Sequence, residues 1–427
     1  MVLALMLLGL FALILLGVPI AVSLGLVAVG AMLGTQGASS LPNVALVMFD
    51  GATKFPLLAI PMFVFAGAIM NTAGLSRRLI AFASALLGFV RGGLAMINVG
   101  VSMFFAEISG SAVADVAATG SILIPAMRKR GYPNVFAAAV TSSSASLAII
   151  IPPSIPMILY GVMADASVVQ LFVAGVVPGV LGGFAMMLLC YLLARRQGWP
   201  VEEIFQLSRV WVTFKDASWA LVLPVIILGS IFGGLVTATE GAGIAVIAAW
   251  FIGAVIYREL DWRRLGRAMI EGGQQTAIVM LLVAASALVG VYLTEQQLPQ
   301  KLAGWILEIT ENRYAILMLL NVFFLVIGLF LHSAAAIILV VPIVVPLITQ
   351  VGIDPVHFGL VVCLNLAIGQ QTPPVASVLI TACSIAKADV WAVTRANLAF
   401  IAVLFAVLIL VTYVPAIPMA LVEAFYR

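Results

Sequence analysis

Two stretches of this chain, residues 106–154 and 328–377, carry the same parts in the same order. Each begins with a short polar break, Ser109-Gly110-Ser111 in the first and His332-Ser333 in the second. An apolar half-length segment follows and ends near a proline, Pro125 or Pro346. Then come a turn with its own proline (Pro133, Pro355), an apolar segment flecked with polar residues, and a Pro-Pro break at Pro152-Pro153 or Pro373-Pro374. The register holds to about one residue over roughly fifty, which makes this an internal repeat. A repeat whose unit is a pair of interrupted apolar segments restricts the chain to few architectures.

Composition selects among them. The chain is 64% hydrophobic and 9% charged, where a soluble domain carries about 25% charged residues. Many apolar runs approach the roughly twenty residues that a membrane crossing needs. Period-two alternation, the mark of a membrane β-barrel, is absent. The chain therefore reads as an all-α polytopic membrane protein. Its net charge of +3 belongs to loops and topology, and no basic patch suggests nucleic acid. Cys190, Cys363 and Cys383 lie in apolar segments without ligand spacing, so they read as small buried hydrophobes. The run MVLALMLLGL has no basic n-region and no evident cleavage site, and is expected to remain as a membrane helix.

The chain divides as follows. Residues 1–91 supply scaffold spans and an arm helix: one long span over 1–34, a loop to Phe55, a span over 56–74 and a short apolar arm over 79–90. Residues 92–194 form the first transport repeat, with a hairpin at 92–130 and a broken helix at 134–161. A polar linker, 195–216, is expected to be cytoplasmic. Residues 217–313 add scaffold spans, a basic loop with Arg258, Arg263, Arg264 and Arg267, and a second arm over 296–309. Residues 314–427 form the second repeat, with a hairpin at 314–350, a broken helix at 356–385 and a last span from Ala396 to about Leu421. The hairpin segments of the first repeat are near sixteen residues each. At about 1.5 Å rise they cover about 24 Å, short of a hydrocarbon core of about 30 Å. They read as a re-entrant pair, with Arg91 and Arg128-Lys129-Arg130 flanking its outer ends on one side.

Basic residues set the orientation. With the N-terminus cytoplasmic and the C-terminus periplasmic, most Lys and Arg fall inside, and Lys54, Lys301, Arg313 and Arg427 fall outside. This gives about nine full spans and two hairpins entering from opposite faces. Inverted repeats with broken helices and a site at mid-membrane are the signature of secondary transporters.

Half-helices ending inside a membrane expose free carbonyls at one end, suited to Na⁺, and free N–H groups at the other, suited to an anion. Glu107, Asp115 and His332 are the ionisable residues inside the spans, and no Lys or Arg lies at the depth of the breaks to neutralise the two carboxylates. Bound cations would reverse the sign of such a core, a physical reason for ion coupling. Asp115 fits the role of a helix cap equally well. A membrane hydrolase is excluded on motifs, because neither HExxH nor GxSxG occurs.

Residues 60–79 (IPMFVFAGAIMNTAGLSRRL), 107–127 (EISGSAVADVAATGSILIPAM), 149–161 (IIIPPSIPMILYG), 352–360 (GIDPVHFGL) and 372–377 (TPPVAS) resemble the large membrane subunit of tripartite ATP-independent periplasmic (TRAP) transporters, part of the ion-transporter superfamily. The likeness covers essentially the full length. It implies a Na⁺-driven symporter of the bacterial inner membrane that imports an organic anion by an elevator movement. The implied partners are a small four-helix membrane subunit, a periplasmic substrate-binding protein and the surrounding membrane lipid. By the resemblance, Na⁺ would be held at Ser109, Gly110, Ser142, Ser144 and Ser146 in the first unit, and at Gly328, Gly369 and Thr372 in the second. Substrate would meet Ser111, Asp115, Ser154, His332 and Ser333. Many relatives carry an aspartate where this chain has His332, which argues against a plain C4-dicarboxylate member. The wording FLHSAAAIILVVP and LAIGQQTPPVAS is similar to the sialic-acid branch. A stand-alone Na⁺/anion symporter of the same superfamily is the alternative.

Overall fold

The computed structural model describes the backbone of residues 2–199, 201 and 205–426, and the side chains of these except residues 2–4, 7, 11, 15 and 107–109. Among the described residues every regular element is a helix, apart from one isolated bridge between Arg91 and Val201.

The expected single span over 1–34 is two helices, α1 (Val2–Leu15) and α2 (Ile20–Gln36). Gly17 takes the left-handed conformation (φ 80°), and Pro19 has no N–H to continue the ladder. The chain folds back there and packs α2 on α1, with Gly9 against Val27. The stretch expected as a loop before Phe55 holds a further helix, α3 (Leu41–Ala52). Next come α4 (Ala59–Thr72) and the arm α5 (Leu75–Leu87). The first hairpin is α6 (Gly93–Ser109) and α7 (Ala112–Lys129). The first broken helix is α8 (Asn134–Ala145) and α9 (Ile155–Ala164), followed by the long α10 (Val168–Gln197).

The second half runs α11 (Leu207–Phe232), α12 (Ala238–Phe251), α13 (Trp262–Glu295) and the arm α14 (Leu298–Ile309). Its hairpin is α15 (Arg313–Phe330) and α16 (Ser333–Gln350), and its broken helix is α17 (Pro355–Gly369) and α18 (Ser377–Ala386). The chain ends in α19 (Val390–Tyr413) and α20 (Ala416–Tyr426). Three expectations shift here. The last residues of the linker are already the start of α11. Arg263, Arg264 and Arg267 lie in the first turns of α13 rather than in a loop, because Asp261 caps that helix by accepting from the Arg264 N–H at 2.7 Å. The final span stops at Tyr413, before Pro415, and α20 is separate. Eight helices among the described residues are long and apolar enough to cross a membrane, and α15 and α16 are among them while α6 and α7 are not.

Packing divides the helices into two groups. In one, α2 and α3 lie on α13 while α12 lies on α4, so the two halves exchange partners. In the other, α8 packs on its own hairpin and α17 on its own. The second halves are exchanged: α9 packs on α16, and α18 packs on α7. Each broken helix is thus held by both hairpins, which interleaves the repeats. Aromatic side chains fill the centre between them. The Tyr160 hydroxyl donates to the Pro355 carbonyl at 2.8 Å, and its ring packs on Phe358, which in turn meets Phe324.

The elbow before the first arm is ionic. Arg78 and Arg77 donate to Glu259 at 2.6 and 2.7 Å, Arg78 reaches Asp216 at 3.2 Å, and its guanidinium lies 3.9 Å from the centre of the Tyr257 ring. Partial burial works to raise the Glu259 carboxyl. Its hydrogen bond to Arg78 and the charges of Arg78, Arg77 and Arg264 outweigh that and hold it below the usual carboxylate range.

Candidate functional site

Each hairpin tip is seated in the break of its own broken helix by a backbone hydrogen bond. In the first unit α6 ends at Gly110 in the left-handed conformation (φ 58°), and Ser111 is extended and starts α7. The Gly110 carbonyl accepts from the Ile155 N–H at 3.4 Å, and a Cβ at Gly110 would lie 3.1 Å from the Pro153 oxygen. In the second unit the Leu329 carbonyl accepts from the Val375 N–H at 3.2 Å. There Gly328 and Gly369 touch through their backbones: a Cβ on Gly369 would lie 2.5 Å from the Gly328 carbonyl carbon. The ends of the half-helices are closed locally: the Gly369 carbonyl accepts from the Thr372 N–H at 3.0 Å and the Gln370 carbonyl from the Val378 N–H at 3.2 Å, while a short 3-10 turn, Ser146–Ile149, separates α8 from Pro152-Pro153.

The predicted residues separate into those whose polar atoms are committed and those whose atoms are open. Ser154 closes the first break, donating to the Ile149 carbonyl at 2.7 Å and accepting from the Met157 N–H. Ser144 faces its own hairpin, 2.8 Å from the Ser102 hydroxyl. Ser146 donates to the Ser142 carbonyl at 3.2 Å, and Thr372 to the Ile368 carbonyl at 3.0 Å. Ser111, not Asp115, holds the cap position of α7. Asp115 is fully buried in the first turn of that helix, beside its positive end. Ser333 is buried at the start of α16, and His332 is its exposed cap, accepting from the Ala334 N–H at 3.4 Å. The Ser109 side chain lies outside the described residues. Ser142 is buried, and among the described residues its hydroxyl has no hydrogen-bond partner.

Several residues that complete this centre escaped the sequence reading. Asn98 and Ser102 on α6 clasp α8: Asn98 donates to Thr141 at 2.7 Å. Asn321 on α15 clasps α17, accepting from Asn365 at 2.6 Å, and also donates to Thr412 on α19. Asn397 on α19 reaches between the units, where it meets Ser143 and donates to Gln371 at 2.9 Å. The available signal was an amide isolated in an apolar run, since an unpaired polar group in hydrocarbon is costly. Besides Ser142, buried atoms without a partner among the described residues include Asn365 Oδ1, Gln370 Nε2 and Gln371 Nε2. A cleft of about 390 Å³ opens between the far ends of α7 and α18, lined by Ile124, Pro125, Arg128, Lys129, Ile385 and Ala386. None of the predicted site residues lines it.

The family model described as "Tripartite ATP-independent periplasmic transporter, DctM component" matches residues 7–417. The chain belongs to that family. Among family members, it is 42% identical over 418 residues to the isethionate TRAP transporter permease protein DctMQ of Oleidesulfovibrio alaskensis. That match covers 96% of this chain and 65% of the relative, so the chain spans less than two thirds of that protein's length. It is 38% identical to the C4-dicarboxylate TRAP transporter large permease protein DctM of Pseudomonas aeruginosa, covering 90% of each chain. It is 36% identical to the sialic acid TRAP transporter large permease protein SiaM of Vibrio cholerae, covering 98% of this chain and 97% of that one. Two percentage points separate the dicarboxylate and sialic-acid relatives, so overall identity does not assign a branch. Among solved structures, the YdaH transporter of Alcanivorax borkumensis superposes with a TM-score of 0.63 at 16% identity, over 89% of both chains, a likeness of fold alone. As a member of this family the chain is a multi-span membrane protein whose named relatives are transporter permeases.

Proposed function

We propose that this chain is the large membrane subunit of a Na⁺-coupled importer of small organic anions in the bacterial inner membrane. The observation that carries the reading is the pair of hairpin tips seated in Pro-Pro breaks, together with a Ser142 hydroxyl buried in α8 without a partner among the described residues. Carbonyls ending α8 and α17 supply oxygen donors for Na⁺, together with Gly110, Ser142, Ser144 and Ser146 in one unit and Gly328, Gly369 and Thr372 in the other. In this role Ser144, Ser146 and Thr372 contribute chiefly their carbonyls, because their hydroxyls are already committed. Once Na⁺ is bound, the tip region gains positive charge, and the start of α7 at Ser111 and the start of α16 at Ser333 present helix N-termini to a carboxylate or sulfonate. Asp115 then acts as an ion partner, because a buried carboxylate beside an anion needs a cation.

The substrate class follows from relatives named for isethionate, C4-dicarboxylate and sialic acid, which share an anionic group on a small organic molecule. Sialic acid remains the specific substrate to test first. The interleaved hairpin group moves as a body against the α2, α4, α12 and α13 scaffold, in an elevator step. A small four-helix membrane subunit covers the scaffold, and a periplasmic binding protein delivers substrate. The test is uptake into proteoliposomes holding the chain with those two partners. Uptake is expected to require an inward Na⁺ gradient and loaded binding protein. Uptake driven by ATP, or unchanged when choline replaces Na⁺, would refute the proposal.

A further inference from the structure

At the middle of the molecule three buried side chains from three elements meet. Ser143 lies in α8, Gln371 follows the end of α17, and Asn397 lies in α19; all three are 0% exposed. The Ser143 hydroxyl lies 2.8 Å from Gln371 Oε1 and also contacts Asn397 Oδ1. Asn397 Nδ2 donates to the same Gln371 Oε1 at 2.9 Å. A serine has one hydroxyl hydrogen, and here it faces two amide oxygens. It satisfies one or the other, not both. This makes the cluster a switchable element with two arrangements of a single proton.

Its position gives the switch a use. Ser143 is flanked in sequence by Ser142 and Ser144, which belong to the first ion region. Gln371 is flanked by Gln370 and Thr372, at the second. The last turn of α8 is pinned on both sides: Ser144 holds it to its own hairpin through Ser102, while Ser143 holds it to the opposite unit. The last turn of α8 and the second break are therefore one hydrogen bond apart. A cation drawing in the carbonyls at the end of α8 moves Ser143, and that movement is felt at Gln371.

We infer that Ser143, Gln371 and Asn397 are positioning residues that couple the two ion regions, so that occupancy of one raises the Na⁺ affinity of the other. This rests on the Na⁺ reading of the breaks. Coupling of this kind is reciprocal and appears as a Hill coefficient above one. A two-state element biased from both ends is its physical requirement.

The experiment is a Na⁺ titration of the thermal unfolding midpoint of the purified full-length chain in lipid nanodiscs, with choline keeping ionic strength constant. The wild-type chain is expected to be stabilised cooperatively, with a Hill coefficient approaching two. Ser143→Ala and Asn397→Leu should lower it to one and raise the half-saturating Na⁺ concentration several-fold. Their midpoints without Na⁺ report whether they fold. Ser143→Thr, which keeps the hydroxyl, should restore cooperativity, an outcome that a merely structural role does not predict. Folded variants that bind Na⁺ as cooperatively as the wild type would overturn the inference while leaving the transport reading intact. A wild-type chain indifferent to Na⁺ would defeat the reading on which both rest.

Discussion

The two units solve the same problem with different materials. Both seat a hairpin tip in a Pro-Pro break by one backbone hydrogen bond, Gly110 to Ile155 in the first and Leu329 to Val375 in the second. Around that bond the first unit is rich in hydroxyls: Thr141 meets Asn98, Ser144 meets Ser102, and Ser142 is buried next to them in sequence. The second uses two amides, Asn321 and Asn365, and a bare contact between Gly328 and Gly369. The arms differ too: α5 is held by Arg77 and Arg78 against Glu259, whereas at the start of α14 Lys301 only reaches the Gln296 carbonyl. Hydroxyls rotate and re-pair at small cost, but backbone pressed on backbone cannot yield. The first unit is thus suited to adjust around an ion, and the second to hold its geometry.

Substitutions should expose that contrast in graded order. Gly369→Ala should be the most damaging, because its Cβ would press on the Gly328 backbone rather than on a movable side chain. A destabilisation of about 3 kcal/mol is expected, measured as a drop in unfolding midpoint together with lost uptake. Asn365→Leu should follow, at about 2 kcal/mol, since it strips Asn321 Oδ1 of its donor inside the protein. Gly110→Ala should cost less, about 1 kcal/mol, mostly for placing an L-residue in left-handed backbone. If Gly110→Ala proves as harmful as Gly369→Ala, the first tip is as rigid as the second and the contrast fails.

Two further substitutions sharpen the picture. Ser142→Ala removes a hydroxyl that has no partner among the described residues, so stability without Na⁺ should stay within about 0.5 kcal/mol. The Na⁺ concentration for half-maximal uptake should nevertheless rise several-fold. Glu259→Gln should leave uptake intact and cost about 1 kcal/mol of stability or less, because the ion pairs it breaks are partly exposed. Its pH behaviour has a definite sign. The folded carboxyl sits below its ordinary value of 4.5, so its stabilisation is complete above that value. It is lost as pH falls through the lowered folded value. Wild type and Glu259→Gln should therefore converge in unfolding midpoint in strongly acidic buffer and differ at neutral pH.

Much of the architecture was written in local signals. Glycine and proline mark the breaks at Gly110, Pro152-Pro153 and Pro373-Pro374, and each stands where the helix stops. Segment length singles out the arms and the short pair α6 and α7, but not the second pair, since α15 and α16 are each long enough to cross a membrane. What eluded the sequence was contact between distant parts. Nothing local in α9 says that it rests on α16, or in α18 that it rests on α7. Asn397 carries no motif, and its meaning arises only when α19 brings it against Ser143 and Gln371. Gly17 and Pro19 were visible, but a kink and a fold-back share those residues; only packing of Gly9 on Val27 separates the two. Ser154 and Ser144 are named by the sequence as site residues, and the fold shows their hydroxyls bonded to the Ile149 carbonyl and to Ser102. Which hydroxyls are already spent on the backbone or on a neighbour is a three-dimensional fact.

The fold-back at Gly17 has a consequence for sidedness. A stretch that crosses once puts its two ends in different compartments, whereas one that returns on itself brings them to the same compartment. The start of α1 and the end of α2 therefore lie on one side of the bundle, and the pair adds no net crossing to those that follow. A reporter fused ahead of α1 should share its compartment with one placed between α2 and α3.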